Sequence, residues 1–270
     1  MIIVIILILV LAALYLLSLR CRSGHQGLAA LRGWKYAHRG LHGENRPENS
    51  MAAFRAALES GFGIELDIHL MKDGNLAVIH DSSLKRTAGT DVAIEDLTTE
   101  DLTTYHLEGT DEPIPAFSQV LELYAGKAPL IVELKSERNN YAALADAACK
   151  MLDSYNGPYC IESFDPRCIM WLRKHRPDII RGQLSRNFMK TEPTVPAIVR
   201  FLMTHQLMNF LIVPDFVAYR YSDRKNLSNF LVRKLWNAQG VSWTLRTAKD
   251  LEIAQKEGYL PIFEGFTTTP

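Results

Sequence analysis

The segment from Gly63 to Leu70 reads GIELDIHL, and its pattern indicates the fold of the chain. Successive side chains of a strand point to opposite faces, so the apolar residues of this segment share one face and the polar residues share the other. Glu65 and Asp67 therefore point the same way. A solvated acidic face is unusual for a central parallel strand, which is buried on both sides, so we expect these two acids to have a function.

Strand-like apolar runs alternate with helix-like runs along the rest of the chain. Such alternation is typical of parallel βα units, and about eight units close a barrel. A chain of 270 residues is long enough for one domain of this kind. The sequence therefore predicts an α/β fold, a TIM-type (β/α)8 barrel over residues 34–270. The predicted strands are 35–38, 63–70, 76–80, 130–135, 159–163, 179–184, 210–213, 241–245 and 261–266.

An apolar segment precedes this region. Residues 2–19 are apolar except for Tyr15 and Ser18, and the first charged side chain is Arg20. About 18 to 20 such residues suffice to cross a bilayer. A cleaved signal peptide is the competing interpretation, but a basic amino-terminal region and a small-x-small cleavage site are both missing. We therefore predict one N-terminal transmembrane helix as an anchor over residues 1–20, followed by a polar tether over residues 21–33.

The charges that flank the apolar segment predict its orientation. Arg20, Arg22, Arg32 and Lys35 follow it, and no side-chain charge precedes it. Cytoplasmic flanks carry an excess of Lys and Arg, so we expect a single-pass protein with its catalytic domain on the cytoplasmic side.

The overall charge is balanced, with 30 basic and 30 acidic residues. Such a chain has no net positive field, so nothing indicates a nucleic-acid partner. Any phosphate recognition must be local, which favours a small-molecule substrate.

A third acid lies far from the first two in sequence. The strand parity applied to residues 130–135 turns Glu133 and Lys135 inward, so three carboxylates converge if both strands belong to one barrel. Clustered carboxylates resist ionisation unless a cation lies among them. Because all the donors are oxygens, we expect one divalent cation, Mg²⁺ or Ca²⁺, rather than Zn²⁺.

Two histidines end strand-like runs, where barrel enzymes carry their catalytic groups. His38 is followed by Arg39, and His80 is followed by Asp81. The two imidazoles are suited to proton transfer, and the planar guanidinium of Arg39 is suited to binding phosphate oxygens.

Five short blocks carry these residues in a fixed order: HRG at 38–40, PEN at 47–49, ELD at 65–67, DG at 73–74 and HD at 80–81. The order and spacing resemble the glycerophosphodiester phosphodiesterase family, whose fold is a TIM-type barrel. Weaker similarity continues through Ser163–Pro166 and Trp243–Thr244 to the closing segment. That segment departs from the family's Thr-Asp-x-Pro, so we expect the last helix to be short or absent.

The resemblance implies roles for eight residues. Metal ligands would be Glu65, Asp67 and Glu133, and His38 with His80 would be the general base and acid. Arg39 and Lys135 would bind the substrate phosphate, and Glu48 would lie near the metal or the substrate.

The leading hypothesis is a metal-dependent phosphodiesterase that cleaves glycerophosphodiesters to a glycerol phosphate and an alcohol by general acid/base catalysis. One alternative is a lysophospholipase D acting on membrane lysophospholipids. Another is a non-catalytic membrane-tethered binding module, against which the presence of both histidines and all three acids argues.

Overall fold

The computed structural model describes all 270 residues, and its centre is a closed barrel of eight parallel strands. The first barrel strand pairs with both the second and the last, which closes the sheet. The prediction of a TIM-type barrel is therefore confirmed. The strands are β1 (Tyr36–His38), β2 (Gly63–Leu70), β3 (Leu76–Val78), β4 (Leu130–Leu134), β5 (Tyr159–Ser163), β6 (Arg181–Ser185), β7 (Phe216–Arg220), β8 (Gln239–Leu245) and β9 (Tyr259–Phe263).

Strand β3 does not belong to the barrel, contrary to the prediction for residues 76–80. It pairs antiparallel with the end of β2, with Ile68 opposite Val78. The connection through Asp73 and Gly74 is too short for the crossover that a parallel pair requires. His80 therefore reaches the mouth of the barrel from a hairpin arm and not from a barrel strand.

The strand predicted over residues 210–213 is also wrong, because that segment is helical and the seventh barrel strand follows it as β7. Periodicity alone cannot distinguish a short apolar run in a strand from one in a helix. Here Ile212 packs into the main core from a single helical turn.

Helices connect successive strands on the outside of the barrel. Several begin with a side-chain cap, and Ser50 caps α3 by accepting a hydrogen bond of 3.1 Å from the Ala53 amide. No helix follows β9, as expected from the closing segment. The α-helices are α1 (Ile2–Ser18), α2 (Leu28–Leu31), α3 (Met51–Glu59), α4 (Lys85–Ala88), α5 (Phe117–Tyr124), α6 (Tyr141–Leu152), α7 (Pro166–His175), α8 (Phe188–Thr191), α9 (Ala197–Thr204), α10 (Asn209–Ile212), α11 (Leu227–Leu235) and α12 (Ala248–Lys256); short 3₁₀ turns cover Ile94–Asp96, Thr99–Thr104, Leu107–Gly109 and Tyr221–Asp223.

The amino-terminal helix α1 has 17 residues, and the structure contains no helix with the length and apolar character needed to cross a membrane. At 1.5 Å per residue α1 extends about 25 Å, against a hydrocarbon layer of about 30 Å. The predicted transmembrane helix is thus not found. The carboxyl-terminal turn of α1 contacts α11, where the Tyr15 hydroxyl lies 2.8 Å from that of Ser228.

Residues 21–33, predicted as a tether, pack against the barrel. Leu28 and Leu31 of α2 are buried in one cluster with Tyr36, whose hydroxyl donates to the Leu31 carbonyl at 2.7 Å. Arg22 forms an ion pair with the fully buried Asp215 directly before β7. This segment therefore covers the end of the barrel opposite its mouth.

The packing inside the barrel, at the end opposite its mouth, requires a glycine in β6. A side chain on Gly182 would overlap the ring of Phe216 on the neighbouring strand. We therefore expect Gly182→Ala to lower the free energy of unfolding by about 1–3 kcal/mol through overpacking. Urea unfolding followed by circular dichroism measures the change.

Gly43→Ala is the matched control, because an added Cβ there meets no atom within 4 Å and the backbone has no positive φ. Equal stabilities of the two variants would contradict the tight packing at Gly182.

Candidate active site

Three carboxylates meet at the mouth of the barrel. Glu65 and Asp67 lie on β2 and Glu133 on β4, and the strand register places Asp67 beside Glu133. The three residues are 2%, 1% and 6% exposed, and one carboxylate oxygen from each lies within 4.8 Å of the others. The structure therefore brings together the three acids that strand parity predicts to converge.

Burial and mutual repulsion disturb the ionisation of this cluster. Burial first, and then the charges of Asp67 and Glu133, raise the pKa of Glu65 well above its usual range. Burial also raises the pKa of Glu133 to about 7, in spite of the opposing Lys135. For Asp67 the effect of burial is outweighed by nearby positive charge, above all that of Lys135, so its pKa is lowered well below the usual value.

Two cationic side chains border the cluster. The Lys135 ammonium lies 2.7 Å from Glu133 Oε1 and 3.1 Å from Asp67 Oδ1. Arg39 approaches from the other side, with Nε 3.3 Å from Asp67 Oδ2. Both residues predicted to bind phosphate are thus at the site.

A tight turn at the end of β1 directs Arg39 into the mouth. Arg39 and the following Gly40 both have positive φ, and an added Cβ on Gly40 would come within 2.9 Å of Ala53. Glycine is therefore required at this turn. The turn also directs the Arg39 amide to Glu65 Oε2, at 3.2 Å.

The acidic cluster suits a hard divalent cation. All its donors are oxygens, as Mg²⁺ and Ca²⁺ require. Asp67 Oδ1 is buried without a hydrogen bond, although the Lys135 ammonium is close, so this oxygen remains available as a ligand. The raised pKa values of Glu65 and Glu133 have the same implication, since a cation would relieve the repulsion.

His38 lies beside the cluster at the end of β1. Its Nε2 is 3.8 Å from Glu65 Oε2, and its Nδ1 is 2.6 Å from Glu264 Oε2. Burial lowers the pKa of His38, partly offset by the hydrogen bond with Glu264. Sequence reasoning did not single out Glu264, and its only signal was a position directly after a barrel strand.

His80 lines a cavity together with Glu133 and Lys135, and it also has a carboxylate partner. Its Nδ1 is 2.5 Å from Asp81 Oδ1, and Asp81 accepts a second hydrogen bond from Arg86 Nε at 2.5 Å. Arg86, which was not predicted, lies on α4 and also donates to Glu48 at 2.6 Å. Asp81 and Arg86 therefore hold the imidazole of His80 from its Nδ1 side.

Glu48 bridges two arginines and does not belong to the cluster of three carboxylates. It accepts from Arg39 Nη1 at 2.9 Å as well as from Arg86. The hydrogen bond from Arg39 lets Glu48 orient the guanidinium of Arg39. His69, inward on β2, bonds Glu95 at 2.7 Å and the His80 carbonyl at 3.2 Å, so it supports the His80 backbone.

A cavity of about 190 Å³ opens beside the site. His80, Glu133, Lys135 and Phe164 are among the residues that line it. Phe164 packs edge-to-face against Trp243, with ring centroids 5.5 Å apart. The lining of the cavity thus includes charged side chains of the site and one aromatic ring.

Comparisons with known proteins agree with this arrangement. Residues 38–263 match the model of the glycerophosphoryl diester phosphodiesterase family. A glycerophosphodiester phosphodiesterase of Caldanaerobacter subterraneus subsp. tengcongensis is 32% identical over 232 residues, which cover 82% of this chain and 89% of that protein. The chain spans about half the length of several other curated relatives that it matches.

Two further matches concern substrate and fold. A lysophospholipase D of Rattus norvegicus is 37% identical over 116 residues, 38% of this chain and 36% of that protein. A crystal structure of an Oleispira antarctica phosphodiesterase in complex with the product sn-glycerol-3-phosphate superposes with a TM-score of 0.72 at 19% identity, and the match covers 90% of this chain and 95% of that one. The predicted enzyme class is confirmed by the family match and the curated relatives, and the chain belongs to the glycerophosphoryl diester phosphodiesterase family.

Proposed function

We propose that the mouth of the barrel is a metal-dependent phosphodiesterase site, which cleaves a glycerophosphodiester to a glycerol phosphate and an alcohol. The observation that carries this proposal is the meeting of three buried carboxylates with two histidines, His38 at 3.8 Å from Glu65 and His80 in the cavity that Glu133 lines. Glu65, Asp67 and Glu133 would hold one divalent cation, Mg²⁺ or Ca²⁺. The bound cation would supply polarisation of a phosphate oxygen.

The chain's own side chains perform the remaining steps of this proposal. Arg39 and Lys135, which lie beside the carboxylates, bind phosphate oxygens of the substrate. His38 accepts a proton at Nε2 from the attacking hydroxyl or water, since its Nδ1 is bound to Glu264. His80 donates a proton from Nε2 to the departing alcohol in its imidazolium form, in which both ring nitrogens carry a proton and Nδ1 donates to Asp81. A general base and a general acid are thus both available at the mouth of the barrel.

The histidine roles are tested by substitution. We expect His38→Ala and His80→Ala each to lower kcat by about 10²–10⁴-fold, because each removes one proton transfer. Release of glycerol phosphate from glycerophosphocholine measures the rate. His106→Ala is the matched control, since His106 is exposed and does not belong to the site. Full activity of either catalytic variant would contradict the assigned role.

Cation binding is tested without activity. We expect Mg²⁺ or Ca²⁺ to stabilise the chain by about 2.7 kcal/mol at about 100 times the dissociation constant, measured as a rise in the thermal unfolding midpoint. Glu133→Gln removes a ligand and should abolish the rise, whereas Glu122→Gln, on an exposed part of α5, should retain it. An equal rise in both variants would place the cation elsewhere.

The raised pKa of Glu133 predicts how the stability of the metal-free chain depends on pH. Its pKa in the folded state is about 7, above the ordinary value of 4.5, so the folded state binds more protons between these values. Stability therefore falls as the pH rises from 4.5 through 7. Urea unfolding in a chelator at pH 5 and pH 8 should show this decline, and Glu133→Gln should reduce it. An unchanged decline in the variant would contradict the assignment.

The substrate is proposed from the cavity and from the relatives. One structural neighbour binds sn-glycerol-3-phosphate, which favours a glycerophosphodiester. The aromatic ring of Phe164 in the cavity lining and the lysophospholipase D relative favour a lysophospholipid as the second candidate.

A panel of glycerophosphocholine, glycerophosphoethanolamine and lysophosphatidylcholine distinguishes the two. We expect turnover of the deacylated diesters, because they contain glycerol phosphate without an acyl chain, as does the product that the structural neighbour binds. Choline release from the lysolipid alone would reverse the choice, and no turnover with either cation would favour a binding module.

We further propose that α1 attaches the domain to a lipid surface. The helix is exposed and apolar on every face, and such a helix is normally buried in a protein core or in a membrane. Nearby helices extend the apolar surface with the exposed side chains of Phe210 on α10 and Phe230 on α11. The basic residues after α1, from Arg20 to Lys35, support the cytoplasmic side as the location.

Flotation with phosphatidylcholine vesicles tests the attachment. We expect the full chain to float with the vesicles and the Leu7→Glu/Leu11→Glu variant to remain in solution, because two charges in the apolar helix oppose insertion. Thr103→Glu/Thr104→Glu, at an exposed site, is the control. Equal flotation of both variants would exclude α1 as the attachment, and protease protection in sealed vesicles tests the side.

A further inference from the structure

Glu264 lies directly after β9 and touches the proposed general base. Its Oε2 is 2.6 Å from His38 Nδ1, and its Oε1 accepts a hydrogen bond from Arg246 Nη1 at 2.6 Å. The carboxylate is largely buried between these two groups. Each of its oxygens therefore has one directional partner, which leaves little freedom for the side chain to rotate.

Three neighbouring strand ends hold this triplet. His38 ends β1, Glu264 follows β9 and Arg246 follows β8, and these strands are adjacent in the barrel. The backbone at Glu264 is itself held, since its amide donates to the Leu245 carbonyl at 2.9 Å. The contact between Glu264 and His38 is thus built on rigid elements rather than on a loose loop.

A carboxylate at Nδ1 determines which nitrogen of a neutral imidazole carries the proton. An ionised carboxylate can only accept, so Nδ1 must donate and Nε2 must keep its lone pair. Burial would raise the pKa of Glu264, but the hydrogen bond from His38 and the charge of Arg246 lower it to about 2. Glu264 is therefore an acceptor throughout the neutral range.

Two other titratable groups lie at this position: Glu65, whose Oε2 is 3.8 Å from His38 Nε2, and His42. One ring nitrogen of His42, one ring nitrogen of His38 and one oxygen of Glu264 lie within 4.8 Å of one another. His42 Nε2 is buried without a hydrogen-bond partner, however, so it does not compete for the Glu264 oxygens.

We propose that Glu264 is a positioning residue, which holds His38 with its proton on Nδ1 and directs Nε2 to the reacting phosphodiester. Arg246 holds the carboxylate of Glu264 in turn. This inference rests on the proposed role of His38 as general base. The same arrangement gives the imidazolium a counter-charge once it has accepted a proton.

The test compares kcat with KM in Glu264→Ala. We expect kcat to fall by about 10²-fold or more while KM changes less than about 3-fold, because Glu264 acts on the proton transfer and not on the substrate. Glu264→Gln retains the shape and should recover part of the loss. Glu252→Ala, which removes an exposed glutamate on α12, is the control and should keep the full rate.

Two further measurements separate positioning from a structural role. Added formate should restore part of the activity of Glu264→Ala by occupying the vacated space, and it should not restore His38→Ala. The double variant His38→Ala/Glu264→Ala should be no slower than His38→Ala alone, because the second residue acts through the first.

Several outcomes would overturn the proposal. The first is an unchanged kcat in Glu264→Ala. The second is a loss of activity that formate does not restore and that parallels a loss of folded protein in thermal unfolding. The third is additive losses of kcat in the double variant. Full activity of His38→Ala would instead refute the general-base role on which the proposal rests, so the two failures are distinguishable.

Discussion

The parallel pairing of β2 with β4 is the constraint on which the site depends. It places Asp67 beside Glu133 and keeps Glu65 on the same side, so three carboxylates are buried together at one end of the barrel. Buried like charges are costly unless opposite charges lie among them. The neighbouring strands accordingly bring Lys135 and Arg39 to the cluster, and a divalent cation would complete the balance.

His38 and His80 have the same arrangement of hydrogen-bond partners, although they lie at different positions in the chain. Each is bound through Nδ1 to a carboxylate, and each of those carboxylates is bound to an arginine. His80 obtains its carboxylate from the next residue in sequence, whereas His38 obtains it from the other end of the chain. Local and long-range contacts therefore produce similar surroundings for the two imidazoles.

This difference explains how much of the molecule could be predicted. Strand parity depends only on neighbouring residues, so the inward direction of Glu65, Asp67, Glu133 and Lys135 could be predicted from the sequence. Glu264 could not, because no local pattern links it to His38 across more than two hundred residues. The roles of the predicted site residues stay predictions, since distances show proximity and not chemistry.

The errors in the fold also have local causes. The segment 210–213 is apolar enough for either a strand or a helix, and its packing partners decide between them. The hairpin arm β3 has the composition of a strand, but its short turn prevents it from joining the barrel. The N-terminal prediction rested on an apolar run of eighteen residues, and α1 ends one residue earlier at Ser18.

The barrel closes by joining its first strand to its last, and His38 and Glu264 lie on either side of that join. Because 226 positions separate them in sequence, a ribosome makes Glu264 well after His38. A nascent chain that has all three acids and both histidines still lacks the partner of His38 until the final strand emerges. Completion of the fold and completion of the catalytic machinery would then be a single event, which would keep partly made chains from acting on phosphodiesters.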